Sequence, residues 1–324
     1  MPSVAGGAGD IAGGYGNIQV SSQRRKTNRL IREIKRFNAR LLPQERYLDA
    51  IMLGFSAVEE VYFIGKNALD TSVSLSGSLL YDDDYHEKRL AEYGGQKRLV
   101  VMVTGYMQSP LSFYRLERHL GNEIFDTFTY IWGDFPYSQD ITLSSAQLEK
   151  ILREVHEVAH AEEIYLVGHS QGGMIIRAMV QHGMGADLPI RKCLFLSTPH
   201  QGTWAAVTAF PHRGVLRLVG LVPYIRKVTG ESGLQLLPGS DFIKELNSRP
   251  LPEQIRFSSL FYALDPMIWP PTNAILPYPE ADNHFIRKIG HAQPLYCSRA
   301  HQLAMSILYG DKMAESVVSQ GGGI

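Results

Sequence analysis

Residues 165–173 read Tyr165-Leu166-Val167-Gly168-His169-Ser170-Gln171-Gly172-Gly173, and their reading decides the fold. The run from Ile164 to Gly168 is apolar, short and closed by glycine, as a strand covered on both faces would be. From Gly172 the spacing turns helical, with GGMIIRAMVQHG over 172–183. Ser170 therefore sits in a G-x-S-x-G pentapeptide between a strand and a helix, the context that motif needs. The reason is steric. A very tight strand-to-helix turn leaves little room two residues before and two after its apex, and Gly168 and Gly172 supply that room. Such a turn lifts the Ser170 hydroxyl to the positive end of a helix. The pentapeptide alone also describes an inert glycine-rich turn; the strand, the helix and the extra Gly173 favour a nucleophile.

The pattern around this stretch repeats. RLVVMVTGY (98–106) reads as a covered strand and SPLSFYRLERHLG (109–121) as a helix. FDTFTYIW (125–132) reads as a strand, and SSAQLEKILREVHEVAH (144–160) as a helix. RKCLFLSTPH (191–200) and RFSSLFYALD (256–265) are further strands, and SRAHQLAMSILYG (298–310) is a closing helix. Alternation of this kind predicts an α/β fold: a mostly parallel central sheet with helices on both faces and ligands beyond the carboxyl ends of its strands. Residues 203–253 break the rhythm with helical apolar spacing and weak strand signals, so they are expected to form a helical insertion capping the crevice. The expected organisation is a flexible arm at 1–26, a helical N-terminal extension at 27–90, the α/β domain at 91–311 and a flexible tail at 312–324. Within the extension, residues 45–70 form a second helix whose broad apolar face should dock, most simply on the main domain.

A serine hydroxyl needs a base, and a serine presented this way takes its acid and then its base from later in the chain. His291 in IGHAQPLY precedes the closing helix and is the favoured base; His284 in ADNHF is the rival. Asp265 ends the strand LFYAL and is the favoured acid, with Asp282 and Glu280 as loop alternatives. Oxyanion donors are expected from the backbone N–H of Gln171, next to the nucleophile, and of Tyr106, in the loop after VVMVTG. The side chains of Met107, Trp204, Phe210, Leu216, Leu218 and Trp269 are candidates for an acyl pocket or lid, although plain core packing would explain the apolar insertion as well.

Composition removes several classes of function. A formal net charge of zero and a pI near 7.2 argue against a broad basic surface, so no nucleic-acid partner is expected. Two cysteines, Cys193 and Cys297, make neither a disulfide framework nor a zinc site. In IMLGFSAVEEVYFIG (51–65) two glutamates interrupt the apolar residues, which excludes a membrane span. No signal-peptide pattern opens the chain, so a cytoplasmic location is expected. His156-Glu157-Val158-Ala159-His160 matches the H-E-x-x-H zinc signature, but it lies at a helix end before the strand IYLVG. That is the wrong end of the sheet and lacks a third ligand; the expectation is no metal and no cofactor.

Together these residues resemble the α/β-hydrolase superfamily, and within it the lipase-like serine esterases, over roughly 98–310. Leu166 to Gly173 is similar to the nucleophile segment, and Ser197-Thr198-Pro199-His200-Gln201-Gly202-Thr203 to the stretch after the next strand in many bacterial lipases. Leu237-Pro238-Gly239-Ser240 with Phe242 and Leu246-Asn247 looks like a lipase segment inside the insertion. Asp265 with Ile268 and Pro270-Pro271, and Gly290-His291 with Leu295, look like the acid and histidine loops. Two positions depart from the pattern: Thr104-Gly105 stands where His-Gly is common, and Trp269 where a small valine is common. The resemblance implies hydrolysis of carboxylic esters, of lipid or medium-chain acyl type, by a Ser170-His291-Asp265 triad through an acyl-enzyme. It also implies possible contact with a lipid interface. A thioesterase or polyester hydrolase with the same triad, and an inactive binding or scaffold protein of the same fold, are the alternatives.

Overall fold

The computed structural model describes residue 32 and residues 57–66, 97–106, 108, 110–120, 126–130, 139–204 and 230–309. Among the described residues, six strands form one sheet: β1 (Arg98–Val103), β2 (Asp126–Tyr130), β3 (Glu163–His169), β4 (Ile190–Leu196), β5 (Arg256–Leu264) and β6 (Asp282–Ile289). Their order is β2-β1-β3-β4-β5-β6, and every neighbouring pair is parallel. The helices are α1 (residues 57–66), α2 (Tyr114–Leu120), α3 (Ile141–Ala159), α4 (Gln171–Gln181), α5 (Asp241–Ser248), α6 (Gln293–Tyr296) and α7 (Ser298–Tyr309).

The apolar runs of the strands divide by parity. Leu99, Val101, Val103, Leu166 and Phe195 join a core cluster with residues of α3, α4 and α5. Val100, Met102, Val167, Leu194 and Leu196 join a second cluster with α2, α6 and α7. Alternate side chains of a strand point to opposite faces, so a strand apolar at every position needs helices on both.

Three elements differ from the expectation. β6 lies in a segment read as loop. It is an edge strand with no fully buried position, so it lacks the apolar run that marks the inner strands. The described part of the insertion, 230–253, packs into the core beside α3 and α4 through Leu236, Ile243, Leu246 and Leu251. Its α5 starts at an N-cap, where Ser240 Oγ accepts from Ile243 N at 3.2 Å. Residues 205–229 lie outside the described residues, as do the arm, most of the N-terminal extension and the tail. On α1, finally, Val58, Val61 and Tyr62 are largely exposed, and the inward side carries Glu60 and Phe63.

Arg177 on α4 is fully buried, and among the described residues it has no carboxylate partner. It donates instead to His200 O at 3.0 Å, Asn247 Oδ1 at 2.6 Å and Tyr278 Oη at 2.9 Å. One guanidinium thereby pins the loop after β4 and the end of α5 to the nucleophile helix.

Candidate active site

The carboxyl ends of four strands converge. Ser170 follows β3, Asp265 follows β5, His291 follows β6, and Gly105-Tyr106 follow β1. Ser170 has φ 52° and ψ −121°, a left-handed turn that a side chain adopts only when its surroundings enforce it. Enforcement comes from packing and backbone pairing. A Cβ on Gly172 would overlap the carbonyls of Val103 and Thr104, so no larger residue lets α4 lie this close to β1. Ser170 N donates to Leu196 O at 2.9 Å, tying the turn to β4.

Ser170 occupies the N-cap of α4 but caps nothing with its side chain. Its Oγ lies 3.1 Å from His291 Nε2, and His291 Nδ1 lies 2.9 Å from Asp265 Oδ2. A carboxylate only accepts, so Nδ1 carries the proton and Nε2 is left to accept from the serine hydroxyl. Asp265 is held in turn: its Oδ1 accepts from Met267 N at 2.8 Å and Ile268 N at 3.0 Å. Burial pushes the His291 imidazole down, but the Asp265 carboxylate, its hydrogen bond and the charge of Glu60 together raise it above the ordinary histidine value.

A second chain of hydrogen bonds runs beneath. Gly105 N donates to Gln108 Oε1 at 2.7 Å, Gln108 Nε2 lies 2.7 Å from His169 Nδ1, and His169 Nε2 lies 2.8 Å from His291 O. The carbonyl must accept, so Nε2 of His169 carries the proton and Nδ1 accepts from Gln108. Burial and the neighbouring His291 push His169 down to about 3, so it stays neutral as this chain requires. The chain joins the oxyanion-side loop, the nucleophile turn and the histidine loop.

The sequence-predicted residues fall into groups. Ser170, Asp265 and His291 are brought together; Gln171 N opens α4 beside the serine, and Tyr106 follows Gly105, where a Cβ would come within 3.1 Å of Ser170 Cβ. His284 and Asp282 lie within β6, and Glu280 precedes it. Trp204 and Trp269 meet across two loops, Trp204 N donating to Trp269 O at 3.1 Å, with the side chains 36% and 58% exposed. Met107, Phe210, Leu216 and Leu218 lie outside the described residues. His156 and Glu157 are in the last turn of α3, while His160 is its left-handed C-cap, so the zinc signature does not lie on one continuous helix. Among the described residues no group of three His, Cys, Asp or Glu is placed to hold a metal ion.

Sequence reasoning missed three contributors: Gln108, the inward role of His169, and Glu60. Glu60 Oε1 accepts from His291 N at 2.5 Å and Ala292 N at 2.8 Å. No local signal marks any of them, since each has a partner more than sixty residues away in the chain.

Residues 98–217 match the family model for the alpha/beta hydrolase fold. Among solved structures, Aspergillus fumigatus lipase B is 15% identical with a TM-score of 0.53, over 68% of this chain and 55% of that one. The chain thus spans little more than half of that lipase. A mature Bacillus licheniformis lipase is 18% identical with a TM-score of 0.49, over 64% of this chain and 91% of its own. A lipase-esterase related protein from Clostridium acetobutylicum is 15% identical with a TM-score of 0.47, over 66% and 94%. No curated protein sequence matches the chain. The parallel sheet, the family match and the nucleophile turn agree: this chain has the α/β-hydrolase fold.

Proposed function

We propose that the protein is a serine carboxylic-ester hydrolase. The observation that carries the reading is the continuous hydrogen-bonded series Ser170 Oγ, His291 Nε2, His291 Nδ1, Asp265 Oδ2 at the carboxyl ends of the strands. His291 takes the Ser170 proton as Oγ attacks the ester carbonyl, and Asp265 stabilises the imidazolium that forms. The developing oxyanion is met by the backbone N–H of Gln171 and of Tyr106, the first of them at the positive end of α4. His291 then protonates the leaving alcohol, and an acyl-Ser170 ester remains. Water deprotonated by His291 attacks that ester; the acid leaves and Ser170 regains its proton. Nothing in this cycle requires a cofactor.

For substrate, acyl esters of lipid or medium-chain length fit best. Half-exposed Trp204 and Trp269 stand on loops after β4 and β5, at the same end of the sheet as Ser170, and in the sequence Trp204 is followed by an apolar stretch at 205–222. A lipid surface is the matching partner.

Ser170→Ala should lower turnover of p-nitrophenyl esters by at least about 10⁴-fold while leaving the melting temperature near wild type. It should also abolish labelling by a fluorophosphonate. Equal labelling of wild type and variant would refute the assignment. Parallel acyl-ester and acyl-thioester series separate an esterase from a thioesterase.

A further inference from the structure

Helix α1 lies outside the matched family segment, yet it reaches the candidate active site. Its inward side is short and specific. Phe63 stacks on Tyr296 of α6 with ring centroids 5.4 Å apart and 12° between planes. Lys288 Nζ lies 3.3 Å from Glu59 Oε2, pairing α1 with the end of β6. Between these two anchors Glu60 is 2% exposed, and one of its oxygens receives two consecutive N–H groups, those of His291 and Ala292. Its other oxygen is buried and accepts nothing among the described residues. A carboxylate is an expensive way to fill space there, because an apolar side chain would leave no orphaned oxygen.

His291 is therefore fixed through its main chain from two directions. Its N–H goes to Glu60 on α1, and its carbonyl takes the His169 Nε2 proton from beneath the nucleophile turn. The imidazole is aimed by a peptide clamped at both ends, not by its own side-chain bonds alone.

We propose that Glu60 is a positioning residue of the triad, a carboxylate lent by α1 that clamps the His291-Ala292 backbone beside the imidazole. The inference rests on the hydrolase reading above for its catalytic consequence, but not for its structural one. The charged and titratable groups facing this carboxylate are His291, Asp265 and Tyr262, with Glu59 and its partner Lys288 on the flank and Cys297 beyond Tyr262. Burial, the largest cause, holds the Glu60 carboxyl above the ordinary glutamate value with help from Asp265, while the two N–H donors and His291 offset part of that rise. Glu60 in turn is one of the groups that hold His291 up.

The test uses the full chain with Glu60→Ala and Glu60→Gln. In Glu60→Ala, kcat on a p-nitrophenyl ester should fall by at least about ten-fold with KM changed less than about two-fold, because a misaimed base affects the chemical step. Glu60→Gln keeps an acceptor oxygen and should recover part of that loss. In both variants the His291 imidazole titration, followed by NMR, should move to lower pH, because a negative charge that favours imidazolium has gone. Wild-type kcat in Glu60→Ala, or an unmoved His291 midpoint in both variants, overturns the proposal. Should Glu60→Ala fail to fold, the near-isosteric Glu60→Gln decides through its midpoint. A wild-type protein that neither hydrolyses esters nor takes up fluorophosphonate would sink the hydrolase reading alone, since the His291 midpoint is read without substrate.

Discussion

At the scale of single residues, the proposed chemistry turns on which form of His291 is present. Only the neutral ring can accept the Ser170 proton. Asp265 and Glu60 both stabilise the protonated ring, and together they outweigh the burial that opposes it. The sign follows: kcat/KM should be lost as pH falls through a midpoint above the ordinary histidine value. A pH–rate profile checks it, and Asp265→Asn should move that limb to lower pH while reducing turnover. A wild-type midpoint below the ordinary value would mean that burial dominates. Ser170, Asp265 and His291 were legible in the sequence because each ends or follows a recognisable strand or motif. Glu60 was not: in an apolar run, two adjacent glutamates read only as interruptions, and nothing local separates the buried one from its exposed neighbour.

At the scale of elements, α4 must lie against β1 for Ser170 to adopt its turn, and Gly172 sets that distance. Gly172→Ala should therefore destabilise the protein by about 1–3 kcal/mol, the usual cost of forcing extra volume into a packed core. Thermal melting measures it. Gly65 on α1 is the control, since a Cβ there meets nothing within 4 Å, and Gly65→Ala should lower the melting temperature not at all. Equal melting points for the two variants would remove the argument. The inner strands β1, β3, β4 and β5 were readable because each is sandwiched by helices and so apolar along most of its length. β6 was missed because an edge strand needs no such run: Asp282, Asn283, His284 and Arg287 serve as well as valines where one flank faces solvent. The described part of the insertion was read as a cap, but its apolar positions satisfy the core, a distinction that helical spacing alone cannot make.

At the scale of the whole molecule, α1 is held to the α/β domain at a few points, and Phe63 supplies the stacking contact. Phe63→Ala should cost about 1–2 kcal/mol, in keeping with a half-buried aromatic. It should lower kcat in the same direction as Glu60→Ala. A calorimetric scan and a kcat measurement check both; undiminished kcat would show that α1 holds its place without the stack. Residues 57–66 were legible as part of a helix that must dock, but their reach into the candidate active site was not, because the contact joins residues 231 positions apart. That separation carries a consequence for how the protein is made. In a nascent chain the carboxylate at position 60 precedes the serine turn at 170, and the histidine it steadies follows only at 291. Nascent fragments that stop short of His291 should accordingly be silent, so that hydrolysis begins only when the polypeptide has closed on itself.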